Sequence, residues 1–168
     1  MLSIWLCDCM LYTLRYRFSQ AFSVQAKEAY QWCVDYSPDD PSLMGEDNAK
    51  REVTWIAETV ALLKETFHTK SGIIEKQKLV HLYPDHLMWV STHISGPNKH
   101  SQFIYEIKPE GDGDSCLEFT AHHIEQKENL TSQEQKVLTD RLCKADCDLW
   151  KRLAKAMEKK LTPQPPHK

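Results

Sequence analysis

The sequence predicts an α+β protein in which an antiparallel sheet is combined with one long C-terminal helix. Four short segments after Gly72 alternate apolar and polar residues, and breaks rich in Gly, Pro, Asn and Asp separate them. Such residues favour turns. Residues 131–161 instead repeat their apolar side chains at spacings of three and four, which is typical of a helix with one apolar face. The order of the two patterns predicts a meander followed by a helix.

The first strand is predicted over residues 12–22. Apolar side chains fall on its even positions, as expected for a strand with one buried face. The even set is Tyr12, Leu14, Tyr16, Phe18 and Phe22. A short helix is predicted within residues 23–35, followed by a turn region with room for one helical turn.

Residues 51–68 leave two interpretations open. Their apolar residues recur at helical spacing, but the wealth of β-branched and aromatic side chains in the segment equally suits strands. The residues that fit both patterns are Val53, Ile56, Val60, Leu63 and Phe67. Periodicity alone does not decide between a helix and strands here.

Residues 101–121 predict a hairpin with a defined register. One pairing gives a continuous apolar face, by setting Tyr105 opposite Phe119, Ile107 opposite Leu117 and Phe103 opposite Ala121. A shift of one residue would set these side chains opposite polar ones, which is costly wherever one face is buried.

The same face can be extended to the two preceding strands through their turns. A four-residue turn at residues 96–99 places on it Ile94, Thr92, Val90 and Met88. A two-residue turn at Pro84 and Asp85 then adds Tyr83, His81 and Leu79. On this register the residues left outside are Trp89, His93, Gln102 and Glu106. The predicted inner wall is mostly apolar, and its polar side chains are His81, Thr92, Tyr105 and His123.

The C-terminal helix has a predicted start and a predicted inner face. Thr131 and Glu134 form a T-x-x-E capping box, which satisfies two backbone donors at a helix start. The stripe expected to face the sheet is Leu142, Leu149, Leu153 and Met157, and Trp150 is expected at the mouth of any pocket.

Composition excludes several classes of function. A chain of 168 residues with a formal charge of −3 is long enough for one domain with a sizeable core, and it lacks the basic excess of nucleic-acid binders. The apolar opening of the chain is shorter than a membrane span and has no basic start. We therefore expect a cytoplasmic protein without stable membrane insertion, whose six cysteines are reduced thiols.

The sequence offers few residues for catalysis. Six of the eight histidines lie between His81 and His123, but adjacent strand residues point to opposite faces, so neither a metal site nor any other cofactor is expected. Motifs for nucleophilic hydrolysis or phosphate binding are absent from the sequence. The pair named for acid–base chemistry is His81 with Tyr105, since an imidazole titrates near neutral pH and a phenol can donate to an enolate.

Three stretches of the chain resemble the START-like superfamily, also called SRPBCC or helix-grip. They are "YRFSQAFSVQAKEAYQWCVDYSPDD", the meander "HLYPD" to "SGPNKHSQFIYEIKPEGDGDSCLEF", and the closing "LWKRLAKAMEKKL". The resemblance implies a curved antiparallel sheet of six or seven strands wrapped around the C-terminal helix, with one or two short helices after the first strand. It also implies a START-like domain over residues 11–161 and an N-terminal extension over residues 1–10. The proline-rich end of the chain, residues 162–168, is predicted to be a disordered tail.

The resemblance further implies a cavity between sheet and helix, where side-chain packing alone would equally allow a solid core. The preferred function is binding of a hydrophobic or amphipathic, lipid- or polyketide-like small molecule, without catalysis. The predicted lining is His81, Met88, Val90, Thr92, Phe103, Tyr105, Leu117, Phe119, Leu142, Leu149 and Leu153. The alternatives are a polyketide cyclase or dehydratase that uses acid–base catalysis in that cavity, and a co-chaperone-like protein-interaction domain whose partner the sequence does not identify.

Overall fold

The computed structural model describes residues 9–37, 40–45 and 47–161. It contains seven strands, three α-helices and one 3₁₀ helix within these residues, in an order that agrees with the predicted one. The 3₁₀ helix, Pro84–His86, stands where a two-residue turn was predicted, and four residues connect Tyr83 with its partner Met88. The strands are β1 (Met10–Phe22), β2 (Ala49–Ala57), β3 (Val60–Thr69), β4 (Gly72–Tyr83), β5 (Met88–Ser95), β6 (Gln102–Glu110) and β7 (Asp114–Lys127). The helices are α1 (Ala26–Cys33), α2 (Asp40–Leu43) and α3 (Ser132–Leu161).

All seven strands form one antiparallel sheet in the order β1-β7-β6-β5-β4-β3-β2. The curved sheet carries α3 on its concave side, where the helix packs against β1 and α2, and α1 packs over β6 and β7. The α+β fold predicted for the chain is thereby confirmed. The predicted tail and all but the end of the predicted extension lie outside the described residues.

One buried core joins the concave face to the helices. Phe22 at the end of β1 lies 6.4 Å from Trp150 of α3, measured between ring centroids. Leu153 and Met157 follow Trp150 on the same helix face and are buried. Burial of this apolar surface stabilises the packing of α3 on the sheet.

The capping box predicted for α3 is confirmed. The Thr131 backbone N–H donates to Glu134 Oε2 at 2.9 Å, and the Glu134 backbone N–H donates to Thr131 Oγ1 at 3.2 Å. Two donors that the first helical turn leaves unpaired are thus satisfied. No helix within the described residues combines the length and apolar character needed to cross a membrane.

Residues 51–68, left open between helix and strands, form most of the β2–β3 hairpin. Along β3 buried and half-buried residues alternate, and the buried ones are Ala61, Leu63 and Glu65. The period of two is therefore the one that tertiary packing uses. The segment does not form a helix, although its apolar residues also recur at helical spacing. Its β-branched and aromatic residues instead allow β2 and β3 to pair with each other.

The register predicted for the β6–β7 hairpin is confirmed residue by residue, with Tyr105 opposite Phe119 and Ile107 opposite Leu117. β1 adds its even positions to the same face, since Phe18 lies opposite Phe119. Three neighbouring strands therefore present their apolar residues to the concave side, as the sequence predicted.

The register predicted for β5 is wrong by one residue. His93 faces two residues that come just before β6: its N–H donates to the Ser101 carbonyl at 2.9 Å, and its carbonyl accepts from the His100 N–H at 2.8 Å. The extra residue is accommodated because Asn98 and His100 have positive φ angles of 61° and 75°. A bulge of this kind shifts the pairing by one residue and exchanges the two faces of the strand.

As a result, the concave face carries Trp89, Ser91 and His93. The faces of β4 are exchanged as well, because β4 pairs with β5. Val80 lies opposite Ser91 and Lys78 opposite His93, so Val80 and Lys78 are on the concave face. The residues that the wrong register placed inside lie on the convex face instead: Leu79, His81, Tyr83, Met88, Val90, Thr92 and Ile94. Gln102 and Glu106 lie on the convex face as predicted.

We predict that Gly96→Ala is far more destabilising than Gly111→Ala. Both glycines have positive φ angles, 77° and 64°. A Cβ on Gly96 would clash with the Glu75 carbonyl oxygen, whereas nothing lies within 4 Å of one on Gly111. Gly111→Ala should therefore cost about 1 kcal/mol of unfolding free energy, and Gly96→Ala about 3 kcal/mol.

Urea denaturation of both variants measures this difference. Equal losses in the two variants would show that the backbone of β4 does not approach the turn after β5 as closely as described.

Candidate functional site

A cavity of about 400 Å³ lies between the concave face of the sheet and α3. All seven strands contribute residues to its wall, and α3 closes the other side with Leu142, Leu149 and Trp150. Ala145 and Arg152 of the same helix are exposed and also line the cavity, which places its opening beside them. A second cavity of about 80 Å³ adjoins it and shares Tyr105 and Trp150.

One part of the wall is built from aromatic rings that contact one another, namely Phe103, Tyr105, Phe119 and Trp150. Trp89, which lines the smaller cavity, stacks on Tyr105 with the two rings parallel within 4° and their centroids 4.7 Å apart. Tyr105 also lies 5.1 Å from Phe119 in an edge arrangement and 5.7 Å from Trp150, and Phe103 lies 6.0 Å from Phe119. These contacts fix the rings in place and present flat apolar surface to the cavity.

Another part of the wall is a buried network of charges on β2, β3 and β4. Arg51 Nη2 lies 2.7 Å from Glu65 Oε1, and Lys78 Nζ lies 2.6 Å from Glu65 Oε2. Arg51 Nη1 also lies 2.5 Å from Asp40 Oδ2 of α2. Both oxygens of Glu65 are thus occupied by cations, an arrangement that a buried carboxylate needs in order to stay charged.

The electrostatics of this network follow from its geometry. Burial alone would raise the pKa of Glu65, but the adjacent Lys78 and Arg51 outweigh burial and hold that pKa at about 2. Burial raises the pKa of Asp40 to about 6 in spite of its contact with Arg51. Glu65 is therefore the anion that holds the two inner cations together.

His93 stands on the wall next to the charge network, as the cross-strand partner of Lys78. Its side chain is buried, and its Nδ1 makes no hydrogen bond within the part of the chain that the structure describes. Burial, followed by repulsion from Lys78 and Lys76, lowers the pKa of His93 to about 3. The imidazole is accordingly neutral at physiological pH.

A third polar group lies where α3 meets β1. The Tyr16 hydroxyl donates to Asp146 Oδ2 at 2.7 Å, and both side chains line the cavity. Burial raises the pKa of Asp146, although the Tyr16 hydrogen bond acts in the opposite direction. Asp146 is the only carboxylate on the cavity wall, within the described residues, that no cation binds at salt-bridge distance.

The structure brings some of the predicted lining residues together and separates others. Phe103, Tyr105, Phe119, Leu142 and Leu149 line the large cavity, and Leu153 lines the smaller one. Leu117 is fully buried in the core beside them. The four that the β5 bulge moves to the convex face are His81, Met88, Val90 and Thr92.

The shifted register also separates the two residues predicted as an acid–base pair. His81 lies on the convex face of the sheet and Tyr105 on the concave face, so that prediction is wrong. His123 lines the cavity as expected and lies 3.2 Å from Glu125. Trp150, expected at the mouth, is buried against Phe22 and Tyr105.

Sequence reasoning missed most of the polar residues of the wall, among them Arg51, Glu65, Lys76, Lys78, Ser91, His93, Asp146 and Arg152. One signal was present for Glu65, which shares the parity of Leu63 and Phe67 along β3. A charge on the apolar parity of a strand indicates a buried charge that needs a partner. This parity becomes informative only once residues 60–69 are known to form a strand, which the sequence left open.

Comparison with known proteins gives structural matches only. No protein-family model matches the sequence, and no curated protein matches it. Among solved structures, a protein from Thermus thermophilus has a TM-score of 0.69 at 13% identity, covering 88% of this chain and 99% of that one. The Zhui aromatase/cyclase of Streptomyces sp. R1128 has a TM-score of 0.66 at 11% identity, covering 90% and 98%.

A START superfamily protein from Mycobacterium smegmatis matches with a TM-score of 0.65 at 15% identity, covering 86% of this chain and 97% of that one. The fold is the START-like helix-grip fold. The likeness extends over nearly the whole of each neighbour. At these identities the START-like comparison concerns the fold alone.

We predict that His93 makes the wild-type protein lose stability in mild acid. The pKa of His93 is about 3 in the folded protein against 6.5 ordinarily. Its contribution to stability is therefore complete above pH 6.5 and is lost as the pH falls from 6.5 towards 3. Between pH 7.5 and pH 4.5 the stability advantage of wild type over His93→Gln should shrink by about 2–3 kcal/mol.

Urea denaturation across that pH range measures the effect, with Ser91→Ala as the control because Ser91 is a buried neighbour that does not titrate. Ser91→Ala should follow the wild-type pH dependence. A constant gap between wild type and His93→Gln at all pH values would contradict the burial of a neutral imidazole.

Proposed function

We propose that the protein binds a hydrophobic or amphipathic small molecule, lipid- or polyketide-like, in the cavity between the sheet and α3. The observation that carries the proposal is the cavity of about 400 Å³, whose wall includes the contacting aromatic rings of Phe103, Tyr105 and Phe119. A volume of this size is in the range of small-molecule sites. Apolar area supplies affinity there, and a few placed polar groups supply orientation.

The structural neighbours support the same general role through the fold they share. The binding site in this chain is proposed from its own residues: Phe103, Tyr105, Phe119, Leu142 and Leu149 for contact with the apolar part of the ligand. A solid interior would have favoured the alternative of a protein-interaction domain. The cavity favours binding of a small molecule instead. Cytoplasmic location remains an expectation from the sequence.

We predict that Leu142→Trp abolishes ligand binding while Val137→Trp does not. N-phenyl-1-naphthylamine, a neutral apolar fluorophore, is a suitable probe because its emission rises when it leaves water. Leu142 lines the cavity, so an indole there would occupy space that the probe needs. Val137 lies on the same helix but is 58% exposed, so the matched variant adds the same ring outside the cavity.

Fluorescence titration should show at least about a tenfold weaker Kd for Leu142→Trp and an unchanged Kd for Val137→Trp. Circular dichroism melting of both variants checks that they fold. Wild-type affinity in a folded Leu142→Trp variant would contradict binding in this cavity.

An acid–base enzyme is the second candidate, and the Tyr16–Asp146 pair is the observation that favours it. A half-buried carboxylate of raised pKa, hydrogen-bonded at 2.7 Å to a phenol on the wall of an apolar cavity, can exchange a proton with a carbon acid. The roles would be proton acceptor for Asp146 and hydrogen-bond donor for Tyr16. His81, on the convex face, has no part in this chemistry.

We predict for this candidate that wild-type protein accelerates deuterium exchange at the α-carbons of 2-tetralone in D₂O, as followed by NMR. Asp146→Asn should lower the rate at least about 100-fold, and Asp140→Asn, an exposed aspartate on the same helix, should leave it unchanged. Equal rates for wild type and Asp146→Asn would contradict the enzymatic candidate and leave the binding function intact.

A further inference from the structure

The charges on the cavity wall do not balance. Within the described residues the wall carries four cationic side chains, Arg51, Lys76, Lys78 and Arg152, but two carboxylates, Glu65 and Asp146. Glu65 is already shared by Arg51 and Lys78, Asp40 behind the wall pairs with Arg51, and Asp146 is bonded to Tyr16 at the other side of the cavity. The β4 side of the wall therefore has an excess of positive charge.

Lys76 is a cation of this group that has no carboxylate partner among the described residues. It lies two residues before Lys78 on the same face of β4, with Glu65 as its cross-strand partner. Because both oxygens of Glu65 bind other cations, Lys76 makes no ion pair within the described ranges. Its ammonium instead lies 4.9 Å from the centre of the Phe67 ring, a weak contact compared with a carboxylate partner.

His93 gives an independent indication at the same place. It is 7% exposed, is the cross-strand partner of Lys78, and its buried Nδ1 has no hydrogen-bond partner among the described residues. A buried polar atom without a partner is unusual in a native structure and calls for an explanation. A neutral imidazole carries one N–H and can donate it to an anionic oxygen.

We propose that the ligand carries an anionic oxygen group of the carboxylate class, which binds between Lys76 and His93 while its apolar part lies on the aromatic wall. This proposal rests on the proposed binding function and adds the charge and the orientation of the ligand. Lys76 supplies the opposite charge, and Lys78 adds to the positive potential. Repulsion from Asp146 disfavours the reversed orientation, because Asp146 lies on the α3 and β1 side of the cavity.

A pair of probes that differ by one anionic group tests the proposal directly. 8-Anilinonaphthalene-1-sulfonate and N-phenyl-1-naphthylamine share the same ring system, and only the first carries a sulfonate. Wild-type protein should bind the sulfonate at least about tenfold more tightly than the neutral probe. Lys76→Met should remove that preference, because it keeps the length of the side chain and removes its charge, and it should change the Kd of the neutral probe by less than about twofold.

Lys50→Met is the matched control, because Lys50 is an exposed lysine on β2 that does not line the cavity. It should leave both Kd values unchanged. Lys76→Gln provides a second uncharged variant should Lys76→Met fail to fold, as judged by circular dichroism, and it should give the same loss of preference.

The outcomes separate the two proposals. Tight binding of the neutral probe without a preference for the sulfonate overturns the anionic site and leaves the binding function standing. An equal loss for both probes in Lys76→Met, or the same loss in Lys50→Met, also overturns it. Failure of the wild-type protein to bind either probe overturns the binding function and the anionic site together.

Discussion

The buried ionic contact between Glu65 and its two cations is the constraint on which the concave side of the protein depends. Arg51 and Lys78 hold the two oxygens of Glu65 at 2.7 Å and 2.6 Å. Charged groups packed against hydrocarbon without partners are costly, and losing one partner of such a set costs about 3–5 kcal/mol. Leu153 and Met157 of α3 pack with Phe22 in the apolar core, whereas the charged residues of β2, β3 and β4 face the cavity.

A single bulge connects this electrostatic constraint to the backbone. His93 faces both His100 and Ser101, and this extra residue turns Lys78, Ser91 and His93 towards the cavity. Without it, the same strands would present Leu79, Val90 and Thr92, and the interior would be more apolar. A change of one residue in register thus gives the cavity one polar side and one aromatic side. Two such sides would fix the orientation of an amphipathic ligand.

Much of the fold could be predicted from the sequence because local rules and tertiary packing agree there. The even positions of β1, the β6–β7 register and the Thr131–Glu134 capping box each follow from a short pattern with one physical meaning. The candidate site could be predicted only for β6, β7 and α3. Which face of β5 is concave could not be predicted. It depends on left-handed backbone conformations at Asn98 and His100, and the residues of this turn are compatible with loops of several lengths. The charged residues were missed because Arg51 and Glu65 become neighbours only once residues 51–68 pair as strands.

The proposed ligand position, between α3 and the aromatic rings of the sheet, can be observed in a crystal structure of the protein with bound N-phenyl-1-naphthylamine. We expect the rings of the probe to contact Phe103, Phe119 and Leu149, in the cavity of about 400 Å³. Density for the probe on the convex face, beside His81 and Val90, with the space under α3 filled by protein side chains, would contradict it.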